Sequence, residues 1–254
     1  MGQKATYRLS RHDLQPAIWI VVAILLIVSS CGGPSREPAE QVYLHRVESG
    51  ETLSVIADEY YDNPQMADVI GEFNAVRDTD LRDGMVLRIP LSGEDVERIE
   101  KKERARVPYN KGLELAEKGA YVEAVQEFQE SLTIEPDFVD AIYNLGVTYQ
   151  KMKSYERARG ELAKAVRLRP EKPEYRFAFG TCLFHLDKFG DAAGAFEGVM
   201  ELDPTHARAL YSLAVCYEKQ GEKEKAIAAW RRYLEIDSKS AWANEARKRL
   251  KELE

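Results

Sequence analysis

The chain has 254 residues, with 36 Lys and Arg against 43 Asp and Glu, a formal net charge of −7. Holding several phosphates needs a clustered positive surface, so this balance argues against a sequence-independent nucleic-acid binder. Hydrophobic residues make up 44%, enough for packed cores, and three cysteines imply no disulfide framework.

Residues 1–30 read as an address. Lys4, Arg8 and Arg11 face only Asp13; AIWIVVAILLIV, Ala17 to Val28, is apolar without interruption; small residues follow at Ser29 and Ser30. The run is too short to cross a hydrocarbon core of roughly 30 Å comfortably, and the order basic, apolar, small is that of a secretory signal. Val28 to Cys31 (VSSC) resembles the lipobox of bacterial lipoproteins, which implies cleavage before Cys31 and a diacylglycerol on its thiol. An uncleaved N-terminal anchor is the alternative. In either case the rest of the chain is expected to face an extracytoplasmic space. Gly32, where an aspartate would mark inner-membrane retention in such lipoproteins, leans the expectation towards the periplasmic face of the outer membrane. Residues 31–42, rich in Gly, Pro and charge, read as a flexible tether.

Residues 43–91 form a small module. YLHRV, Tyr43 to Val47, alternates as a strand does, with Tyr43, His45 and Val47 on one face. Thr52 is placed to cap a helix carrying Leu53, Ile56, Ala57 and Tyr60, and after the break at Asp62 to Pro64 the apolar spacing resumes at Met66, Ala67, Ile70 and Phe73. A turn at Leu81 to Gly84 leads into a second strand, Met85 to Ile89, which Pro90 should end.

This strand, helix, helix, strand order resembles the LysM domain, on Val47, Gly50, Glu51, Thr52, Leu53, Ile56, Ala57, Tyr60, Ile70, Asn74, Leu81, Gly84, Leu87, Ile89 and Pro90 in the family's order. It departs at Glu51, where aspartate is usual, and near Val55, where many members carry tryptophan. The resemblance implies a shallow groove for N-acetylglucosamine-containing glycan such as peptidoglycan, with Gly50, Glu51, Thr52 and Leu53 on one side and Asn74, Ala75, Val76, Arg77 and Asp78 on the other. Gly50, Thr52, Leu53 and Asn74 can equally serve as turn, cap and core residues.

Residues 92–104 are a charge run expected to form a solvated linker helix, with Pro108 forcing a new start. Beyond it the chain repeats. Gly112, Gly146 and Gly180 stand 34 residues apart with Ala214 in the next place; Ala124, Ala158, Ala192 and Ala226 keep the same step, as do Tyr121, Tyr155 and Phe189, and Pro136, Pro170 and Pro204. The pattern resembles the tetratricopeptide repeat. The small residues should let paired helices approach, Phe128, Leu162, Phe196 and Trp230 should fill the space between them, and the prolines should end each second helix. The units expected are 105–138, 139–172, 173–206 and 207–240, with 241–254 as a capping helix in which Trp242, Ala246, Leu250 and Leu253 face the stack.

Such repeats imply a concave face built by the first helices, here Tyr109, Leu113, Tyr143, Val147, Phe177, Thr181, Phe184, Tyr211 and Val215, with Glu117, Lys151, His185 and Lys219 nearby. Tyr109, Tyr143, Phe177 and Tyr211 make an aromatic ladder suited to an apolar or extended peptide, although aromatics are also common there for packing. At the places of the family's carboxylate clamp stand Tyr109, Leu113, Asn144, Glu174 and Ala178, so only one asparagine matches.

No HExxH, C-x-x-C, phosphate loop or G-x-S-x-G elbow is present, and Cys182 and Cys216 read as small core residues. The expected protein is α+β: a small βααβ LysM domain followed by an all-α tetratricopeptide superhelical solenoid. It is expected to be non-enzymatic, without cofactor or metal: an envelope lipoprotein holding peptidoglycan at one end and recruiting an envelope protein with the other. The alternatives are a pilotin-like or assembly factor for a secretin or pilus machine, and a non-catalytic activator of a cell-wall hydrolase or synthase.

Overall fold

The computed structural model describes residues 41–254; the expected signal segment, Cys31 and nearly all of the tether lie outside the described residues. The chain divides into two compact units at 100/101.

In the first unit, β1 (Gln41–Arg46) pairs antiparallel with β2 (Val86–Leu91), in a register running from Gln41 opposite Leu91 to Arg46 opposite Val86. A two-stranded sheet is marginal by itself. It is completed by α1 (Leu53–Tyr61), α2 (Ala67–Asn74) and the first turns of α3 (Gly93–Glu117), whose apolar sides meet the sheet in a core of Val47, Ile56, Ala57, Ile70, Leu87, Ile89, Leu91 and Val96. The alternation expected in the first strand holds, with His45 and Val47 buried and Leu44 and Arg46 exposed. As expected, Thr52 caps α1, its Oγ1 accepting from the Val55 N–H at 3.3 Å.

Two expectations about proline need correcting. Pro90 does not end β2 but lies inside it, opposite Val42. In a two-stranded sheet both strands are edges, and Pro90 shares the outward parity of Arg88, so its missing N–H deprives no ladder bond. Nor does Pro108 start a new helix. α3 runs from Gly93 to Glu117 through it, and the expected linker helix and first repeat helix are one element. The lost hydrogen bond falls at Arg104, an exposed residue where water can serve, while Pro108 itself is buried between the buried Ala105 and Gly112.

The second unit is a stack of helix pairs. α3 is followed by α4 (Tyr121–Ile134), then come α5 (Val139–Lys151) with α6 (Tyr155–Leu168), α7 (Pro173–His185) with α8 (Phe189–Leu202), α9 (Ala207–Gln220) with α10 (Lys223–Ile236), and α11 (Ala241–Leu253) last. The repeated glycine is explained by volume. A Cβ on Gly112 would come within 2.7 Å of the Phe128 ring, on Gly146 within 2.7 Å of Leu162 Cγ, and on Gly180 within 2.8 Å of the Phe196 ring. The side chain expected to fill each pair therefore does so because its partner has none. In the last pair the same seat is held by Trp230, fully buried, whose Nε1–H donates to Glu218 at 2.5 Å.

At the C-terminal end the expected seal differs. Ala243 and Ala246 are the buried residues of α11, with Leu250 and Leu253 packed at the margin, whereas Trp242 is 63% exposed. Ser240 caps this helix, its Oγ accepting from the Ala243 N–H at 3.1 Å and donating to Asp237, so the first turn is fixed with Trp242 on the outside.

Candidate functional sites

The two loops expected to border a glycan groove are brought together. The Leu53 N–H at the start of α1 donates to Asp78 Oδ1 at 2.6 Å, across 25 residues of chain. Around this tie lies an open depression of about 660 Å³, lined by Leu53, Ala75, Val76, Arg77 and Asp78 from the expected set. It is also lined by Ser54, Ala67, Asp68, Gly71, Glu72 and Asp80. Four of these unanticipated residues belong to α2, the exposed Asp68 and Glu72 with the half-buried Ala67 and the buried Gly71, and sequence spacing marked this helix only as an amphipathic one.

Gly50, Glu51, Thr52 and Asn74 lie outside the depression and do structural work. Gly50 takes φ +90°, which favours glycine. Glu51 Oε2 accepts from the Glu48 N–H at 2.7 Å and lies 3.0 Å from His45 Nε2, closing the turn. Asn74 is spent on backbone. Its Nδ2 donates to Ile70 O at 2.9 Å and Arg88 O at 2.7 Å, and its Oδ1 accepts from the Arg88 N–H at 2.7 Å, so its amide pairs with the outer edge of β2 as a third strand would. With both amide hydrogens taken, Asn74 is a staple, and its expected role at the groove is corrected accordingly. At the other rim Ala75 closes α2 in the left-handed region (φ 54°), and the Val76 N–H bonds back to Gly71 O at 3.0 Å. Arg77 is exposed and pairs with Asp80, whose carboxyl is held below its ordinary range chiefly by the Arg77 N–H.

On the first helices of the second unit, Leu113, Tyr143, Val147, Phe177, Thr181, Phe184, Tyr211 and Val215 are all half-buried. Tyr109 differs. It is only 8% exposed, against Phe128 (6.0 Å between ring centres) and Phe138 (4.7 Å), so it is a core residue and is corrected from the expected ladder. The other rungs are each braced from behind. Tyr143 stacks on Tyr175 at 4.5 Å, Phe177 lies tilted against His206 at 5.0 Å, and Tyr211 meets Trp230 at 4.8 Å and Trp242 at 4.9 Å. The Tyr175 hydroxyl donates to Asp140 at 2.8 Å, and burial with that neighbouring carboxylate pushes its pKa up. Trp242 thus joins this face beside Tyr211, a neighbour that treating α11 as a plain cap missed. The repeat spacing does not signal this, since the ladder position one step after Tyr211 falls on Glu245.

Asn144, the one residue matching the carboxylate clamp, donates from Nδ2 to the Tyr109 hydroxyl at 3.2 Å and to Asp140 O at 2.8 Å. His185 stacks on Tyr155 at 4.5 Å. Cys182 and Cys216 are buried free thiols, pushed up by burial to about 11 and about 12, which leaves both as inert core residues. Among the described residues no group of three or more His, Cys, Asp or Glu is arranged to hold a metal, and no helix is long and apolar enough to cross a membrane.

Comparison with known proteins agrees with this geometry. A family model described as tetratricopeptide repeat matches residues 143–205 and 186–241, and one described as TPR repeat matches 112–153. No curated protein matches. Among solved structures, YrrB, described as a TPR protein with an unusual peptide-binding site, is 29% identical with a TM-score of 0.54, over 61% of this chain and 79% of that one. MamA is 25% identical with a TM-score of 0.54, over 59% and 86%. A MamA from Desulfovibrio magneticus RS-1, 22% identical over 59% and 94% with a TM-score of 0.53, shares the fold. Residues 112–241 are tetratricopeptide repeats, and a fold of this kind presents a surface for a protein partner.

Proposed function

We propose that this chain is a cell-envelope scaffold that binds a protein partner on the first-helix face of its repeats while residues 43–91, acting as a LysM domain, hold N-acetylglucosamine-containing glycan. The observation that carries the partner reading is the row of half-buried rings at Tyr143, Phe177 and Tyr211. Each is braced by a second aromatic ring, which leaves little side-chain freedom to lose on binding.

The glycan reading is supported by the loop-to-loop tie at Asp78 beside a depression of about 660 Å³. The carboxylates lining it can accept from sugar hydroxyl and acetamido N–H groups, and holding a sugar needs no catalyst. The lipobox resemblance at Cys31 adds an acyl anchor on the extracytoplasmic side, and anchoring would raise a weak single-module affinity through effective concentration.

Two experiments separate the halves. The purified chain should sediment with peptidoglycan sacculi, and Asp78→Ala should reduce the bound fraction; sacculi left in a different fraction from the chain overturn the glycan half. A pull-down from envelope extract should return a defined protein with the native chain and lose it with Tyr143→Ala plus Tyr211→Ala, while the helical circular dichroism is kept. Capture that survives both changes overturns the use of this face. A cell-wall synthase or hydrolase as the captured protein fits the scaffold reading directly, and a secretin would move the chain to machine assembly.

A further inference from the structure

A second furrow is cut into the solenoid away from the aromatic face. It lies between the second helices α6 and α8 with α7 as its floor and has a volume of about 550 Å³. Its apolar surface is that of the half-buried Phe179 on α7 and Val166 on α6, with the buried Leu183 beneath them. Its charges are unbalanced: Arg159, Arg176 and Lys188 line it against Asp191 alone. That excess of positive charge stands on a chain whose formal net charge is −7. The other acidic residues of α8, Glu197 and Glu201, do not line the furrow, and the Tyr217 hydroxyl donates to Glu197.

The cations are built to receive carboxylates. Arg176 is pinned through Nε, which donates to Pro170 O at 3.0 Å, and its guanidinium lies over Gly198, where a Cβ would come within 2.9 Å of Nη1. That hold fixes the plane of the guanidinium at the furrow, so its charge is preset to meet a carboxylate. Arg159 is engaged only with the exposed Glu156 one turn away, a pairing worth little in water. Lys188 has no ion-pair partner among the described residues. One wall carries Gly190 and Gly194 a helical turn apart, and a Cβ on Gly194 would meet nothing within 4 Å, so a main chain can come close there.

We propose that this furrow is a second docking site, taking an acidic amphipathic helix of a partner protein, apolar side chains on Phe179 and Val166 and carboxylates on Arg159, Arg176 and Lys188. Charge complementarity selects this occupant: an apolar floor alone would accept any hydrophobic helix, whereas three cations against one acid discriminate by sign. The site works independently of the aromatic face, so one solenoid could join two proteins.

The test uses the full chain and two fluorescein-labelled amphipathic helical peptides with identical leucine spacing, one with glutamates on its polar face and the other with lysines. The glutamate peptide should bind and weaken as salt is raised. Arg159→Glu with Lys188→Glu should weaken it by about tenfold or more. Tyr143→Ala with Tyr211→Ala should leave it unchanged. Melting curves keep a folding defect distinct from a binding one, and Lys188→Gln supplies a milder variant. Equal binding of the lysine peptide, or binding indifferent to the reversals, overturns the proposal. Sedimentation showing that the chain fills the furrow with a second copy, in a salt-dependent association abolished by the same reversals, also overturns the partner helix as occupant.

Discussion

In the N-terminal unit a single carboxamide, that of Asn74, makes two hydrogen bonds to Arg88 that bind α2 to the edge of β2 and a third back to Ile70 in its own helix, and a single carboxylate, that of Asp78, ties the loop after it to the start of α1. In the solenoid the equivalent joint is a bare glycine under a large side chain, met at Gly112, Gly146 and Gly180 in turn. Over its apolar core the first unit adds directional polar joints that occur once, whereas the joints of the second are complementary volumes that recur. A contact that occurs once has no periodicity to reveal it. A volume rule repeated at a step of 34 residues announces itself in the sequence.

The difference can be broken from either side. The largest effect is expected for Trp230→Ala, which empties the fully buried seat of the last pair and removes one of the two donors to Glu218, leaving it Arg249 alone. Thermal and denaturant melting should register a loss of about 3–5 kcal/mol in the helical transition, with the first unit unaffected. Asn74→Ala should act the other way, leaving the exposed Arg88 backbone to water and removing about 1–2 kcal/mol from the first unit alone, read by hydrogen exchange at Arg88. Gly146→Ala adds only one methyl group, yet it must displace Leu162, and about 1–2 kcal/mol of overpacking should appear in the solenoid transition.

His206 sharpens the comparison with a polar joint inside the solenoid. Its Nδ1 accepts from the Ala209 N–H at 3.0 Å and caps α9, and burial holds its pKa below the ordinary value, with Arg208 acting in the same direction and Asp203 against it. The folded state therefore binds fewer protons than the unfolded one. The cap's contribution is full above about pH 6.5 and is lost as pH falls through the lowered folded value. His206→Asn keeps an acceptor that does not titrate and should flatten that acid-side decline in melting temperature. The smallest effect is expected at Cys182 and Cys216, where a thiol reagent at neutral pH should modify neither residue until the solenoid is unfolded.

Much of the solenoid was legible because each repeat states its rule again: small residue, filler, helix-ending proline. The first unit was legible as an order of elements, from strand alternation at His45 and Val47 and from helix spacing at Leu53, Ile56 and Tyr60. What each polar residue does there was not. Asn74 and Thr52 look the same in sequence whether they face a ligand or the backbone, and only the placement of Arg88 and Val55 beside them decides.

The sequence by itself determined the repeat length, the paired helices and the apolar faces, since these follow from local spacing and side-chain size. Tertiary structure decided which aromatic rings remain reachable. Tyr109 and Tyr143 occupy the same register, but Phe138 and Phe128 close over the first while the second rests on Tyr175 and stays half-open. It also decided that Trp242 stands outward beside Tyr211 and that Pro108 lies inside a helix. Each of these depends on residues far away in the chain, and burial is a property of the neighbours that the fold supplies.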